Sequence, residues 1–371
     1  MQPTTGQRIY YPELDGLRFI AFLLVFIHNA PYDTSNEIWK LIRERSWIGV
    51  DLFFCISGFL ITRLLIDEYE KYKTINIRNF YIRRILRIWP LYFFIVFIAA
   101  IYTIANRGLN ISIIGQIIGL VTFTNNFFTS VLNFTIIAFS LHLWTISYEQ
   151  QFYLIVPHLV QKLLGLACKK QILLGGVVFL TGSLVRIIFI FFNFSAFSIY
   201  ELPFTHFEAM LGGIIIGVGF RNPYQNQKRQ KLLLLGIASL LFTFVLPSKD
   251  ITGWHLMLMY PLTGIGVTLI IYSIIHFNNK LLISLLGNKL IVYFGKISYG
   301  LYIYHIASMY LATYILIFLQ SITLGNEIRP QNIFGLAFIL TISMSAFSYR
   351  FIEMPFLKHK KRFTLISSRS V

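Results

Sequence analysis

Arg18 and His28 stand ten residues apart in LRFIAFLLVFIHNA, a stretch otherwise fit for the interior of a bilayer. Both side chains are costly to place in lipid, so each needs a partner, a cavity or an interface. An imidazole titrates near neutrality and suits a general base. A guanidinium suits phosphate or carboxylate. Glu149 lies mid-stretch in HLWTISYEQQFYLIVP, beside Gln150 and Gln151. It reads either as a catalytic or substrate carboxylate or as the centre of a hydrogen-bond knot. FYIRRILRIWP carries Arg83, Arg84 and Arg87. Arg84 and Arg87 are three apart and share a helical face, an arrangement suited to phosphates or to plain anchoring at a basic membrane surface.

Asp51, Arg186, Glu208, His305 and Glu353 also fall in or beside apolar stretches. Arg186 and Glu353 are near enough to stretch ends to reach the interface, and Asp51 is expected at the outer one. His142 and His305 stand open between a functional and a core role. His158, His206, His255, His276 and His359 have no context that points to chemistry. Cys55, among Phe53, Phe54 and Ile56, packs more readily than it carries an acyl group.

The elements that must position these residues are membrane helices. Of 371 residues, 56% are hydrophobic and 13% charged, with a mean hydropathy of +0.67. Apolar runs of about 20 residues mark spans. They fall at 16–33, 47–66, 86–105, 137–161, 171–192, 203–220, 232–248, 254–277, 291–319 and 331–353. With ten spans and both termini cytoplasmic, every strongly basic loop faces the cytoplasm: 63–87, 162–170, 221–231 with Arg221, 278–289 with Lys280, and the tail. Segment 111–130 is also apolar, but if it crossed, all later basic loops would face outward. It is expected to be re-entrant or interfacial. The expected fold class is all-α, a polytopic membrane protein with about ten transmembrane helices, comprising a membrane domain over 1–356 and a short basic tail over 357–371. No cleavable signal peptide is expected.

The net charge of +17 follows from basic cytoplasmic loops and calls for no nucleic acid. Two cysteines, Cys55 and Cys168, give no CxxC spacing, and no HExxH occurs, so no metal is expected. There is no Walker loop, which disfavours a nucleotide-driven pump.

Six blocks taken in order resemble the acyltransferase 3 family of integral membrane O-acyltransferases. They are LDGLRFIAFLLVFIH, GVDLFFCISGFLIT, FYIRRILRIWPLY, HLWTISYEQQFYLIVP, GKISYGLYIYH and YRFIEMPF. The resemblance implies about ten spans in the cytoplasmic (inner) membrane and no esterase-like C-terminal domain here. It implies transfer of an acyl group, commonly acetyl, from cytoplasmic acyl-CoA to a hydroxyl of an extracytoplasmic glycan or glycoside. Arg18 and His28 correspond to the first-helix arginine and histidine, Arg84 and Arg87 to the paired arginines. Trp144, Ser147 and Glu149 correspond to the fourth block; Ser298, Tyr299 and His305 to the ninth-span block; Glu353 and Pro355 to the last. On this basis His28 and Glu149 are expected to be catalytic, Arg18, Arg84 and Arg87 to hold acetyl-CoA or another acyl-CoA, and Asp51, Trp144 and His305 to contact substrate.

Two positions depart from the family pattern. The usual arginine-to-histidine spacing is one residue longer, and Asn29 holds the expected histidine position. Ten steps leave Arg18 and His28 about 80° apart on a regular helix, so a local helix distortion or a shifted site is expected. Gln150 stands where a second glutamate is common, leaving Glu149 as the working carboxylate, expected to orient or charge-balance His28. Acceptor choice is expected in the outer segments 31–46, 106–136 and 193–202. The rival classes are a transporter or flippase of a lipid-linked sugar and a sensor that keeps the fold without catalysis.

Overall fold

A computed structural model describes residues 10–31, 36–219, 227–276, 284–323 and 329–364. Arg221, Lys280 and the tail beyond Thr364 lie outside the described residues. Every regular element among those described is helical, and the protein is an all-α polytopic membrane protein. The first half contains α1 (Pro12–Asn29), α2 (Glu37–Arg45), α3 (Ile48–Tyr72), α4 (Ile77–Arg107), α5 (Ile111–Val121), α6 (Asn125–Ser130) and α7 (Trp144–Leu164). The second contains α8 (Cys168–Phe191), α9 (Ala196–Glu201), α10 (Glu208–Gly219), α11 (Gln227–Phe242), α12 (Leu256–His276), α13 (Lys289–Lys296), α14 (Ser298–Thr323), α15 (Pro330–Ser348) and α16 (Met354–Lys360).

Among the described residues, six helices are long and apolar enough to cross a membrane: α3, α4, α8, α12, α14 and α15. Helices α1 and α7 carry the polar residues singled out above, which lowers their apolar content. Helices α10 and α11 are apolar but shorter. All ten expected stretches therefore contain helix, with four revised boundaries. The 137–161 stretch becomes helical only at Trp144. The 203–220 stretch is helical over just 12 residues, because residues before Glu208 turn to present the Thr205 carbonyl to Arg186 Nε at 2.6 Å. The 291–319 stretch is broken at Ile297 into α13 and α14. The last stretch continues α15 through one wide helical turn over Tyr349–Glu353.

Segment 111–130 forms no span. Helix α5 has 11 residues, about 16 Å of rise, half of what a bilayer core requires. It is capped by Asn110, whose side chain accepts from the Ile113 N–H. It then folds back through Phe123, at φ 57°, into α6. Gln116 and Leu120 on this hairpin are buried, while Ile111, Ile114, Ile118 and Val121 of α5 are exposed, so protein covers only one face of it.

The core is built on α1, α3, α4, α7, α10, α12 and α14. Small residues bring backbones together where side-chain packing alone would hold them apart. A Cβ at Gly213 of α10 would meet the Cys55 carbonyl of α3, and one at Gly295 of α13 would meet the Asp15 carbonyl of α1. The second crossing aligns the start of α14 with the start of α1, which sets the relative height of residues on the two helices.

Candidate active site

The polar residues gather at two levels. At the end of the bundle where α1 begins, Pro12 occupies the first turn and Glu13 and Asp15 face the positive helix terminus. Arg18 pairs with Asp15 at 3.2 Å, and the Tyr10 hydroxyl donates to the same carboxylate at 2.8 Å. Glu149 accepts from Ser57 Oγ of α3 at 2.7 Å and from the Tyr153 hydroxyl at 3.1 Å. The guanidinium charges of Arg87 and Arg18 act on its carboxylate. Arg87 also acts on Glu353. The Arg84 guanidinium lies 5.5 Å from the Phe80 ring and 5.6 Å from the Tyr153 ring. Its Nε has no hydrogen-bond partner among the described residues. Arg83 points elsewhere: it pairs with buried Glu68 at 3.0 Å and donates to the Phe363 carbonyl at 2.9 Å. Of the three clustered arginines, one is thus a structural clamp, while Arg84 and Arg87 stand with Arg18 and Glu149.

His28 lies at the other end of α1. The helix runs unbroken past it, with the Ala30 N–H donating to the Phe26 carbonyl, so no distortion restores the angle to Arg18. Asn29 does not substitute for it; its amide donates back to the Val25 carbonyl of its own helix. The His28 ring turns instead toward α2, and its Nδ1 is 2.9 Å from the Arg43 carbonyl. A carbonyl only accepts, so Nδ1 carries the hydrogen and Nε2 of the neutral ring keeps its lone pair. Nε2 has no hydrogen-bond partner among the described residues. Arg43 Nε donates in turn to the Ala30 carbonyl at 3.2 Å. The charges acting on the imidazole are those of Lys249, Asp250 and Arg43. Lys249 is 2.6 Å from Asp250. Partial burial favours the neutral Asp250 carboxyl, but the Lys249 ammonium outweighs it and holds the group below the usual carboxylate range.

The expected contact between Glu149 and His28 is therefore corrected. Glu149 is hydrogen-bonded to Ser57 and Tyr153, and His28 to the Arg43 backbone. Asp51 also departs from expectation. It is fully buried rather than interfacial, and pairs with His206 Nε2 at 2.9 Å, while His206 Nδ1 meets the Tyr200 carbonyl at 3.1 Å. Trp144 packs edge-on against Tyr200 and Phe54, with ring centroids 5.0 and 6.2 Å away. His305 is fully buried, its ring 4.5 Å from that of His142. Among the described residues no three His, Cys, Asp or Glu side chains converge as metal ligands.

Sequence reasoning missed the Arg43 carbonyl, Lys249–Asp250, Ser57, Tyr153 and His206 as members of these clusters. Only Lys249 and Asp250, an ionisable pair in a loop between two apolar stretches, carried a signal that could have singled them out.

The family profile described as an acyltransferase domain matches residues 11–350. The chain belongs to the acyltransferase 3 family. Among curated relatives, a Staphylococcus aureus (strain COL) protein provisionally named as an O-acetyltransferase is 30% identical over 366 residues, covering 94% of this chain and 58% of its own length. O-acetyltransferase OatA of Staphylococcus aureus (strain NCTC 8325 / PS 47) is 27% identical over 363 residues, covering 94% of this chain and 57% of its own. The chain thus spans less than two thirds of the length of these relatives. No solved structure matches it. Family membership and the helical architecture agree; the first five blocks fall inside the matched range, and of the last only Tyr349 and Arg350 do.

Proposed function

We propose that the protein is a membrane O-acyltransferase. It moves an acyl group, acetyl by preference, from cytoplasmic acyl-CoA to a hydroxyl of an extracytoplasmic glycan or glycoside. The observation that carries this reading is the His28 imidazole. Its proton is held on Nδ1 by the Arg43 carbonyl, and its Nε2 lone pair is aligned as a base. It stands about 15 Å along α1 from Arg18, in a family named for acyl transfer.

The donor binds at the level of Arg18, Arg84 and Arg87. Three guanidiniums suit its phosphates, and the buried Arg84 Nε without a partner gains one on binding. Glu149 balances their charge and holds them apart. The thioester reaches up the bundle and the acceptor comes from the His28 end. His28 Nε2 takes the proton of the acceptor hydroxyl as its oxygen attacks the thioester carbonyl. His28 then returns that proton to the departing CoA thiolate. The Lys249–Asp250 pair beside His28 suits the polar surface of a sugar.

Purified membranes containing the protein, given acetyl-CoA and an envelope glycan fraction, are expected to lose thioester and gain O-acetyl groups. Absence of both would exclude the reading. Arg84→Ala is expected to raise the KM for acetyl-CoA about tenfold or more, corresponding to ~1.4 kcal/mol or more. An unchanged KM returns that arginine to anchoring.

A further inference from the structure

Among the described residues, two buried imidazoles outside this mechanism, His142 and His305, have ring nitrogens without a hydrogen-bond partner. His142 lies in the turn before α7 and is 4% exposed; His305 lies in α14 and is fully buried. Their rings are 4.5 Å apart and inclined at 66°. Neither ring nitrogen of His142 has a hydrogen-bond partner among the described residues, nor does His305 Nε2. The Ile303 carbonyl bears on the His142 ring but lies outside hydrogen-bond geometry. Buried polar groups are normally paired, because leaving one unpaired forfeits its hydration without return. The contrast with His206 is direct: that ring is equally buried, and both its nitrogens are satisfied.

The surroundings hold His142 firmly while leaving its ring unpaired. Its carbonyl accepts from the Thr145 N–H at 3.3 Å, from Thr145 Oγ1 at 3.0 Å and from the Tyr302 hydroxyl at 3.1 Å. His305 is oriented as well: Nδ1 donates to the Tyr302 carbonyl at 2.5 Å, which leaves Nε2 as an acceptor. A neutral imidazole keeps one N–H, so His142 presents a donor that no described residue uses.

Height places this donor between the two levels of the site. Thr145, whose hydroxyl oxygen lies 2.7 Å from that of Tyr302, is four residues from Glu149 on α7, about 6 Å along the axis. Gly295 meets α1 at Asp15, so His305, further along α14, reaches a height between Arg18 and His28. The pair therefore lies between the arginine–Glu149 level and the His28 base. In the proposed transfer, that is where the thioester carbonyl meets the acceptor oxygen.

We propose that His142 is a further catalytic residue whose ring N–H donates to the thioester carbonyl oxygen, with His305 packed against it as a positioning residue. This rests on the acyltransferase reading. As the acceptor oxygen bonds to the carbonyl carbon, the C=O π pair moves to the oxygen, and the His142 N–H holds that negative charge without losing its proton. When the pair returns, the C–S bond breaks and the thiolate leaves. A donor fixed before reaction, in surroundings largely free of water, stabilises such charge strongly.

The test is steady-state acyl transfer in purified membranes with acetyl-CoA, comparing wild type, His142→Phe and His142→Gln. Loss of an oxyanion donor lowers kcat by about 10²–10³-fold. His142→Phe is expected to show that loss with the acetyl-CoA KM within about threefold. His142→Gln, which keeps an N–H donor, is expected to recover at least about tenfold of it. A purely packing role predicts no better activity with Gln than with Phe, and that outcome overturns the proposal. So does a His142→Phe kcat near wild type. If His142→Phe fails to accumulate, His142→Gln is compared with His142→Leu, under the same expectation. A wild type inactive with acetyl-CoA overturns the acyltransferase reading itself, and this assignment with it.

Discussion

At the scale of single residues, His28 and Glu149 divide the work differently than their sequence context suggests. His28 is governed by a backbone carbonyl, Glu149 by Ser57 and Tyr153. His28→Ala is expected to lower acyl transfer by about 10²–10⁴-fold, the usual contribution of a general base, with the protein's abundance in the membrane unchanged. Near-normal turnover in that variant would refute its role. Glu201, at the end of α9, offers a pH test outside the spans. Burial pushes its carboxyl up to about 8, although hydroxyls of Thr129 and Ser130 donate to it, each at 3.0 Å. A carboxyl raised in the folded state contributes stability that is complete below its unfolded value of 4.5 and is lost as pH rises toward 8. The Tm in detergent is therefore expected to fall across that window, and to fall less in Glu201→Gln. Equal slopes for the two proteins would remove Glu201 from the account. Arg18, His28, Arg84, Arg87 and Glu149 could be picked out in the sequence because charge in an apolar stretch stands out. Their partners could not. Asp51 and His206 are 155 positions apart, and no local pattern announces such a pair.

At the scale of elements, the apolar stretches were legible because a run of about 20 apolar residues encodes a helix by itself in lipid. Where helices start, break and turn was less so. The break at Ile297 and the late start of α7 depend on tertiary partners, namely the Asp15 carbonyl crossing at Gly295 and the Ser140–Leu143 turn against Tyr302. Helix α2 was invisible as a positioning element because it is short and polar, with nothing in its composition to tie it to His28. The close α3–α10 crossing gives a direct test. Gly213→Val places a branched side chain against the Cys55 carbonyl and the Phe59 N–H. Overpacking of this kind costs about 1–3 kcal/mol and more against backbone. A Tm within a degree or two of wild type would show that the crossing can open.

At the scale of the whole molecule, a set of buried polar residues is embedded in a mainly apolar core, and much of the outer helix surface is apolar as well. Arg186 and Glu208 form a buried ion pair between α8 and α10, roofed by the Tyr260 ring 5.0 Å away. Removing one member, as in Glu208→Ala, strands the other charge and is expected to cost about 3–5 kcal/mol, read as loss of folded protein in detergent. Sidedness is a second global property. A reporter fused near Gly165 is expected to read as cytoplasmic, since that placement keeps the basic loops on one side. An external reading would invert the donor and acceptor ends proposed above. Arg83 joins remote parts of the chain, linking Glu68 at the end of α3 to the Phe363 carbonyl, 280 positions away. The last described turn is thus fastened beside the proposed donor level.

The His28–Arg43 contact has a consequence for how this site varies and how it is mapped. What orients the imidazole is a peptide oxygen, present whatever side chain stands at position 43. An alanine scan of α2 would leave that oxygen in place, while removing the Arg43 link to Ala30 and the Arg45 donations to the Phe244, Leu246 and Pro247 carbonyls. Changes that bend the chain, such as Arg45→Pro, would move it. Proline at 45 would lack the backbone N–H of the last turn of α2 and clash with the carbonyl of Leu41. Histidine orientation here is inherited from the path of the main chain, so α2 can drift in composition while its curvature cannot.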